Sequence, residues 1–332
     1  MKAGRRFVSL LAVLILIAVI FQLRTWVFDN FVIARTTPKE ISSSDFKLYL
    51  TMGGLERSYL VHLPKDYNGG SPIPLVLMLH GAGGNADIAR ETTKMDEVSD
   101  KNRFIVVYPN GTGLFNNYLL TWNAGYCCNL VKPFGVDDAE FLEEIVRQMK
   151  KEYKIDSRRI YIAGMSNGGI MAYKMACEAS DIFAAVSSVS GSMDLTMCKP
   201  AEPVSIIIFH GQADDTIPFY GGFATDPVYK IFGVNHPAVI KALSFWVGHN
   251  RCVINPRKTE NEFFKMEEYD GCDENSGVVF YDVKNGGHSW PGGGKAWFLG
   301  EDPLQAISAS EIIWEFFENH PKYFPQGNFT AL

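Results

Sequence analysis

The feature that most constrains this chain is the stretch RIYIAGMSNGG at positions 159–169. An apolar run stops at Gly164, presents a single serine, Ser166, and passes at once into residues of helical character. Gly164 and Gly168 bracket the serine in a G-x-S-x-G pattern, which leaves room for a strand-to-helix turn too tight for side chains. Such a turn lifts a hydroxyl clear of a sheet and aims a helix N-terminus at it. Taken alone, the same residues also describe an N-cap serine in an ordinary βα turn, since serine is a favoured cap. The elements around it decide between the two readings.

Apolar runs at 74–79, 104–108, 160–163, 184–189, 204–209 and 278–283 have the continuity of strands buried on both faces. Helical patterns lie between them. The clearest is 138–153, where Phe141, Ile145 and Met149 recur at helical spacing, and others cover 170–177 and 309–319. Residues 46–52 and 57–63 flank Gly53-Gly54 as a hairpin. Strands alternating with helices predict an α/β fold, a mostly parallel central sheet with helices on both faces. Ser166 then follows a central strand and precedes a helix, as a catalytic serine requires. The 332 residues, 47% hydrophobic and 13% aromatic, suffice to fill the core of one large domain. A formal net charge of −6 argues against a nucleic-acid partner, whose phosphates demand basic patches.

Lys2, Arg5 and Arg6 precede an uncharged run over 7–23 that Arg24 closes. That is the pattern of a signal peptide or of an uncleaved signal anchor with a cytoplasmic N-terminus. The run's seventeen residues lie at the lower limit for a bilayer span. Either way the rest of the chain is expected outside the cytoplasm, touching a membrane only through an uncleaved N-terminal segment. The expected organisation is a signal segment at 1–35, a polar linker at 36–45 and a catalytic domain at 46–325. Six cysteines fit an oxidising compartment. Cys177 with Cys198, and Cys252 with Cys272, close local loops and are the expected disulfides. Cys127 and Cys128 are adjacent, as a vicinal bridge or as two separate thiols. No C-x-x-C spacing occurs, so no structural metal is expected. Asn110-Gly-Thr and Asn328-Phe-Thr are glycan acceptors in a host that glycosylates.

A serine hydroxyl is a weak nucleophile and needs a base that a third group orients. Behind a G-x-S-x-G turn the chain order is serine, acid, histidine. His288 sits among glycines in NGGHSWPGG, directly after the 278–283 strand, and is the expected base. His210 reads as a strand-end structural histidine, and His320 as a helix C-terminal cap. The acid comes from HGQADDTIP after the 204–209 strand, because side chains at strand C-terminal ends face the binding edge of such a sheet. Asp214 is expected to orient His288, with Asp215 bonding the turn backbone. Backbone N–H groups of Asn167 and of Ala82, in the glycine-rich loop HGAGG after the first buried strand, are the expected oxyanion donors. That loop lacks the G-K-[ST] ending of a phosphate cradle. His80 is expected to hold the loop.

With these parts in place, the chain resembles the exported esterases grouped with polyhydroxybutyrate depolymerases and the feruloyl and acetylxylan esterases of carbohydrate esterase family 1. The resemblance rests on LHGAGGNA (79–86), YPNGT (108–112), TWNAGYCCN (121–129), VDDAEFL (136–142), GMSNGG (164–169), FHGQADDTIPF (209–219) and GGHSWPGG (286–293). It implies the α/β-hydrolase fold, no cofactor, and a Ser166–His288–Asp214 triad with Ala82 and Asn167 as oxyanion donors. One departure is Gly84, where relatives often carry glutamine. The expected activity is hydrolysis of feruloyl or acetyl polysaccharide esters, or of hydroxyalkanoate polyesters. Two alternatives stand beside it. One is a prolyl-oligopeptidase-like peptidase, disfavoured because only residues 36–74 precede the oxyanion strand. The other is a non-catalytic binding domain. Trp122 and Trp290 are the expected aromatic walls of the substrate pocket. Nothing in the sequence bears on oligomeric state.

Overall fold

Strands that are apolar at every position are stable only where helices cover both faces of their sheet. In this computed structural model, residues 44–52, 54–113, 118–127, 137–295 and 300–323 are described. The first hairpin pairs β1 (Asp45–Met52) with β2 (Leu55–His62). The sheet continues with β3 (Ile73–Leu79), β4 (Ile105–Pro109), β5 (Ile155–Met165), β6 (Ala185–Val189) and β7 (Ser205–Gly211). A separate ribbon pairs β8 (Gly222–Phe223) with β9 (Asn235–His236). The sheet is completed by β10 (Arg257–Glu260), β11 (Phe264–Tyr269) and β12 (Val278–Val283). Its order is β1-β2-β4-β3-β5-β6-β7-β12-β11-β10. From β4 to β12 all neighbours run parallel, and antiparallel strands flank this centre on both sides.

The helices are α1 (Ala86–Thr93), α2 (Met95–Asn102), α3 (Asp138–Glu152), α4 (Asn167–Glu178), α5 (Val239–His249) and α6 (Ala309–Asn319). Alternate residues of β3 enter two different cores. Leu75 and Leu77 pack with Phe141, Ile145, Met171 and Trp246 of α3, α4 and α5. Val76 and Met78 pack with Ala89, Val98, Ile313 and Phe317 of α1, α2 and α6. That explains the unbroken apolar run: at about 1.5–3 kcal/mol per buried aliphatic side chain, both faces contribute. Caps fix the helix starts, with Asp137 accepting from Glu140 N at 3.0 Å and Ser308 accepting from Glu311 N at 3.3 Å.

The hairpin of β10 and β11 is absent from the sequence reading. β10 is exposed and β11 mostly half-buried, most of their residues are charged, and opposite charges face each other across the hairpin, Lys258 Nζ lying 2.7 Å from Glu267 Oε1. Such an edge shows no hydrophobic alternation, and charge there blunts strand-to-strand aggregation.

Cys177–Cys198 and Cys252–Cys272 form the two expected disulfides. Cys127 is also disulfide-bonded, so it is not a separate thiol, while Cys128 lies outside the described residues. No helix among the described residues is long and apolar enough to cross a membrane. The expected signal segment at 1–35, and Asn328, lie outside them. Asn110 is buried; its Oδ1 accepts from Ala86 N at 2.7 Å and its Nδ2 donates to Ser58 Oγ at 2.9 Å. A side chain so engaged cannot carry a glycan, which corrects that expectation.

Candidate active site

Ser166 sits between β5 and α4 at φ 56° and ψ −123°, a backbone conformation costly for any residue with a Cβ. The surrounding packing imposes it. A Cβ on Gly164 would strike the Gly168 carbonyl, and one on Gly168 would strike the carbonyls of Leu79 and His80. Both glycines are therefore required for α4 to start against the ends of β3 and β5. Ser166 N donates to Val189 O at 2.9 Å, which ties the turn to β6.

The loop after β3 comes up beside the serine: a Cβ on Gly81 would lie 3.3 Å from Ser166 Cβ. Among the described residues, the backbone N–H groups of Ala82 and Asn167 have no protein acceptor. His80 braces this loop as expected. Its Nδ1 donates to Gly81 O at 2.7 Å and its Nε2 accepts from Gly111 N at 2.9 Å. Those two bonds require the neutral ring, and burial, the leading cause, pulls its pKa down to about 4.

The loops that carry Asp214 and His288 are zipped together at the ends of β7 and β12. Gln212 N donates to Val283 O at 3.0 Å and Ala213 N donates to Gly286 O at 2.8 Å. This brings His288 Nδ1 to 2.8 Å from Asp214 Oδ2, with the acid side chain fully buried and the imidazole 11% exposed. With Nδ1–H donated to the carboxylate, Nε2 is left as the free basic nitrogen. Burial pushes the His288 pKa down, but the charge and hydrogen bond of Asp214, with Glu301 and Asp215, outweigh it and hold the net value above the ordinary one. Burial pushes Asp214 up, yet His288, His210 and the Ile217 N–H leave it below the ordinary carboxylate value.

Asp215 departs from expectation. The turn backbone bonds to Asp214 instead, whose Oδ1 accepts from Ile217 N at 2.8 Å and Thr216 N at 3.0 Å. Among the described residues, the Asp215 carboxylate accepts only a long 3.4 Å bond from Thr216 Oγ1. One aspartate thus serves both the histidine and the turn, because its buried carboxylate has four lone pairs to engage. His210 is buried, its Nε2 donating to Ile217 O at 2.8 Å, and it braces the acid turn.

Among the described residues Ser166 Oγ makes no hydrogen bond to His288, a separation common in unliganded sites. The tryptophans are also corrected. Trp122 is fully buried and donates from Nε1 to His80 O at 2.9 Å, while Trp290 is 1% exposed and donates to Ser310 Oγ at 3.0 Å. Both are packing residues whose polar atoms are spent inside the fold, so neither forms a pocket wall. Away from this site Asp45, His62 and Asp96 converge, with one ligand atom of each within 4.8 Å of the others. Proton donors already occupy them: Arg90 pairs with both carboxylates, Tyr108 donates to Asp96 and His62 contacts Asp45.

Residues 57–215 match the family described as Esterase PHB depolymerase. This makes the chain similar to the polyhydroxybutyrate depolymerase and carbohydrate esterase group. A bifunctional acetylxylan esterase/xylanase of Neocallimastix patriciarum is 29% identical over 59% of this chain and 27% of its own length. Feruloyl esterase B of Piromyces equi is 25% identical over 73% of this chain and 44% of its own. The chain therefore spans less than half the length of these two relatives. Among solved structures, an acetyl xylan esterase from Aspergillus awamori superposes with a TM-score of 0.55 at 14% identity, over 82% of this chain and 99% of that one. It shares the α/β-hydrolase fold. The resemblance to this esterase group is readable in the sequence. Arg57 and Asp138 were not singled out, although they form a buried ion pair behind the site.

Proposed function

We propose that the chain is an exported serine carboxylic-ester hydrolase acting through Ser166, His288 and Asp214. The observation that carries the reading is the Ser166 turn, strained at φ 56° beside two backbone N–H groups that have no acceptor among the described residues. Ser166 Oγ attacks the ester carbonyl carbon while His288 Nε2 takes its proton. The π electrons move onto the carbonyl oxygen, which Ala82 N–H and Asn167 N–H receive, each donor being worth about 3 kcal/mol in the transition state. As the tetrahedral centre collapses, the alkoxide leaves with the proton from Nε2 and an acyl-serine remains. Water repeats the sequence and frees the carboxylic acid. Asp214 holds the Nδ1–H tautomer and stabilises the imidazolium.

The relatives' names support feruloyl or acetyl esters of polysaccharides, or hydroxyalkanoate polyesters, as substrates. Two disulfides support an oxidising compartment outside the cytoplasm, reached through the 1–35 segment; the linker ends before Asp45, which in β1 already pairs with His62. Ser166→Ala should abolish p-nitrophenyl ester turnover and labelling by a fluorophosphonate while the melting curve stays in place. Retained turnover would refute the mechanism.

A further inference from the structure

The amides of Ala82 and Asn167 lie on different segments, the loop after β3 and the start of α4, and a closed ring of buried bonds joins these segments from behind. The Asn167 side chain is clamped by one backbone unit: its Oδ1 accepts from Trp122 N at 2.7 Å and its Nδ2 donates to Trp122 O at 3.2 Å. The same tryptophan donates through Nε1 to His80 O, on the loop that carries Ala82. The height of residues 121–123 therefore governs both donors.

Asp138 anchors that segment. It is fully buried at the first turn of α3, and its Oδ2 accepts from Asn123 N at 2.6 Å. Its Oδ1 lies 2.6 Å from Arg57 Nη1, on β2. Arg57 Nη2 donates to Asn110 O at 3.0 Å, and the next residue, Gly111, donates to His80 Nε2. The guanidinium lies 3.6 Å over the Phe141 ring, which fixes its plane. A buried ion pair is commonly replaceable by apolar side chains without loss of stability. Here each end of the pair also holds a backbone group of a loop that carries or clamps an oxyanion donor.

We propose that Arg57 and Asp138 are positioning residues for the oxyanion hole, their buried contact setting residues 121–123 and 110–111 so that the amides of Asn167 and Ala82 converge on one point. This rests on the reading of Ser166 as nucleophile. It differs from a stabilising role in what it makes sensitive: tetrahedral oxyanions lose affinity while substrate binding does not.

The test uses the full-length chain, p-nitrophenyl acetate, and phenylboronic acid as a probe that forms a tetrahedral adduct on the serine. The double variant Arg57→Met with Asp138→Leu removes both charges and leaves neither unpaired. Its kcat should fall about 10²-fold, the cost of misplacing reacting groups by about 1 Å, with KM within about threefold. The boronate Ki should rise by the same factor as kcat falls. Arg57→Lys keeps a cation for Asp138 but cannot fork to Asn110 as well, so a smaller parallel shift of roughly tenfold is expected. A folded double variant with unchanged kcat and Ki overturns the proposal. Should the double variant fail to fold, an unchanged kcat and Ki in Arg57→Lys overturns it instead. If the unmodified protein neither turns over the ester nor binds the boronate, the reading of Ser166 fails and the positioning role falls with it.

Discussion

Replacing Asp214 by asparagine probes one hydrogen-bond direction, and the structure dictates how the new amide must sit. Asp214 Oδ1 accepts from the backbone N–H groups of Ile217 and Thr216, at 2.8 and 3.0 Å. In Asp214→Asn the amide oxygen must keep that place, because an NH₂ there would face two donors. The amide nitrogen then faces His288 Nδ1, where the carboxylate now accepts at 2.8 Å. Nδ1 is forced to become the acceptor, the proton moves to Nε2, and the nitrogen that should deprotonate Ser166 is blocked. The same inversion in the serine-protease template lowers kcat about 10⁴-fold, or about 5.4 kcal/mol of transition-state stabilisation. The fold should persist, because both turn bonds remain. Exchanging a charged for a neutral acceptor costs about 1–3 kcal/mol over the two bonds, below the usual 5–15 kcal/mol of a domain. Steady-state kinetics on p-nitrophenyl acetate, with a melting curve on the same preparation, read both quantities. A kcat within tenfold of the unmodified protein, or a larger kinetic loss in Asp215→Asn, would refute the reasoning.

Because Asp214, Glu301 and Asp215 together raise His288 against the lowering by burial, the acid limb of kcat/KM should fall above pH 6.5, the ordinary histidine value. The stability contributed by this raised group has the opposite sense. It is fully present below the unfolded pKa and is lost as pH rises through the folded one, which pH-dependent melting detects. A limb at or below pH 6.5 would contradict the charge arrangement, and Glu301→Gln should shift the limb downward. Trp290→Ala should cost about 3–5 kcal/mol as a large buried side chain is removed. The KM of the folded fraction should stay as it was, and a raised KM with unchanged stability would return Trp290 to the pocket. Cys177→Ser with Cys198→Ser opens a loop with a sequence separation of 21, so stability should fall by about 3 kcal/mol, an unchanged melting temperature being the contrary result.

Local backbone requirements were legible in the sequence. Ser166 was readable because glycines at 164 and 168 are required on either side of so tight a turn, and those requirements are written in five consecutive residues. The buried strands were readable because a strand packed on both faces must be apolar throughout, as β3 is. Cys177–Cys198 and Cys252–Cys272 were readable because each pair closes a short loop. Contacts set by sheet register and loop packing left no such trace. Whether Asp214 or Asp215 bonds the turn depends on which carboxylate the zipped ends of β7 and β12 bury. Trp122 and Trp290 look alike in sequence whether they line a pocket or fill a core, since indole is both apolar and a donor; their buried partners His80 and Ser310 decide it. Arg57 and Asp138 are far apart in the chain, and two ordinary charged residues become one buried pair only because β2 and the start of α3 meet behind residues 121–123.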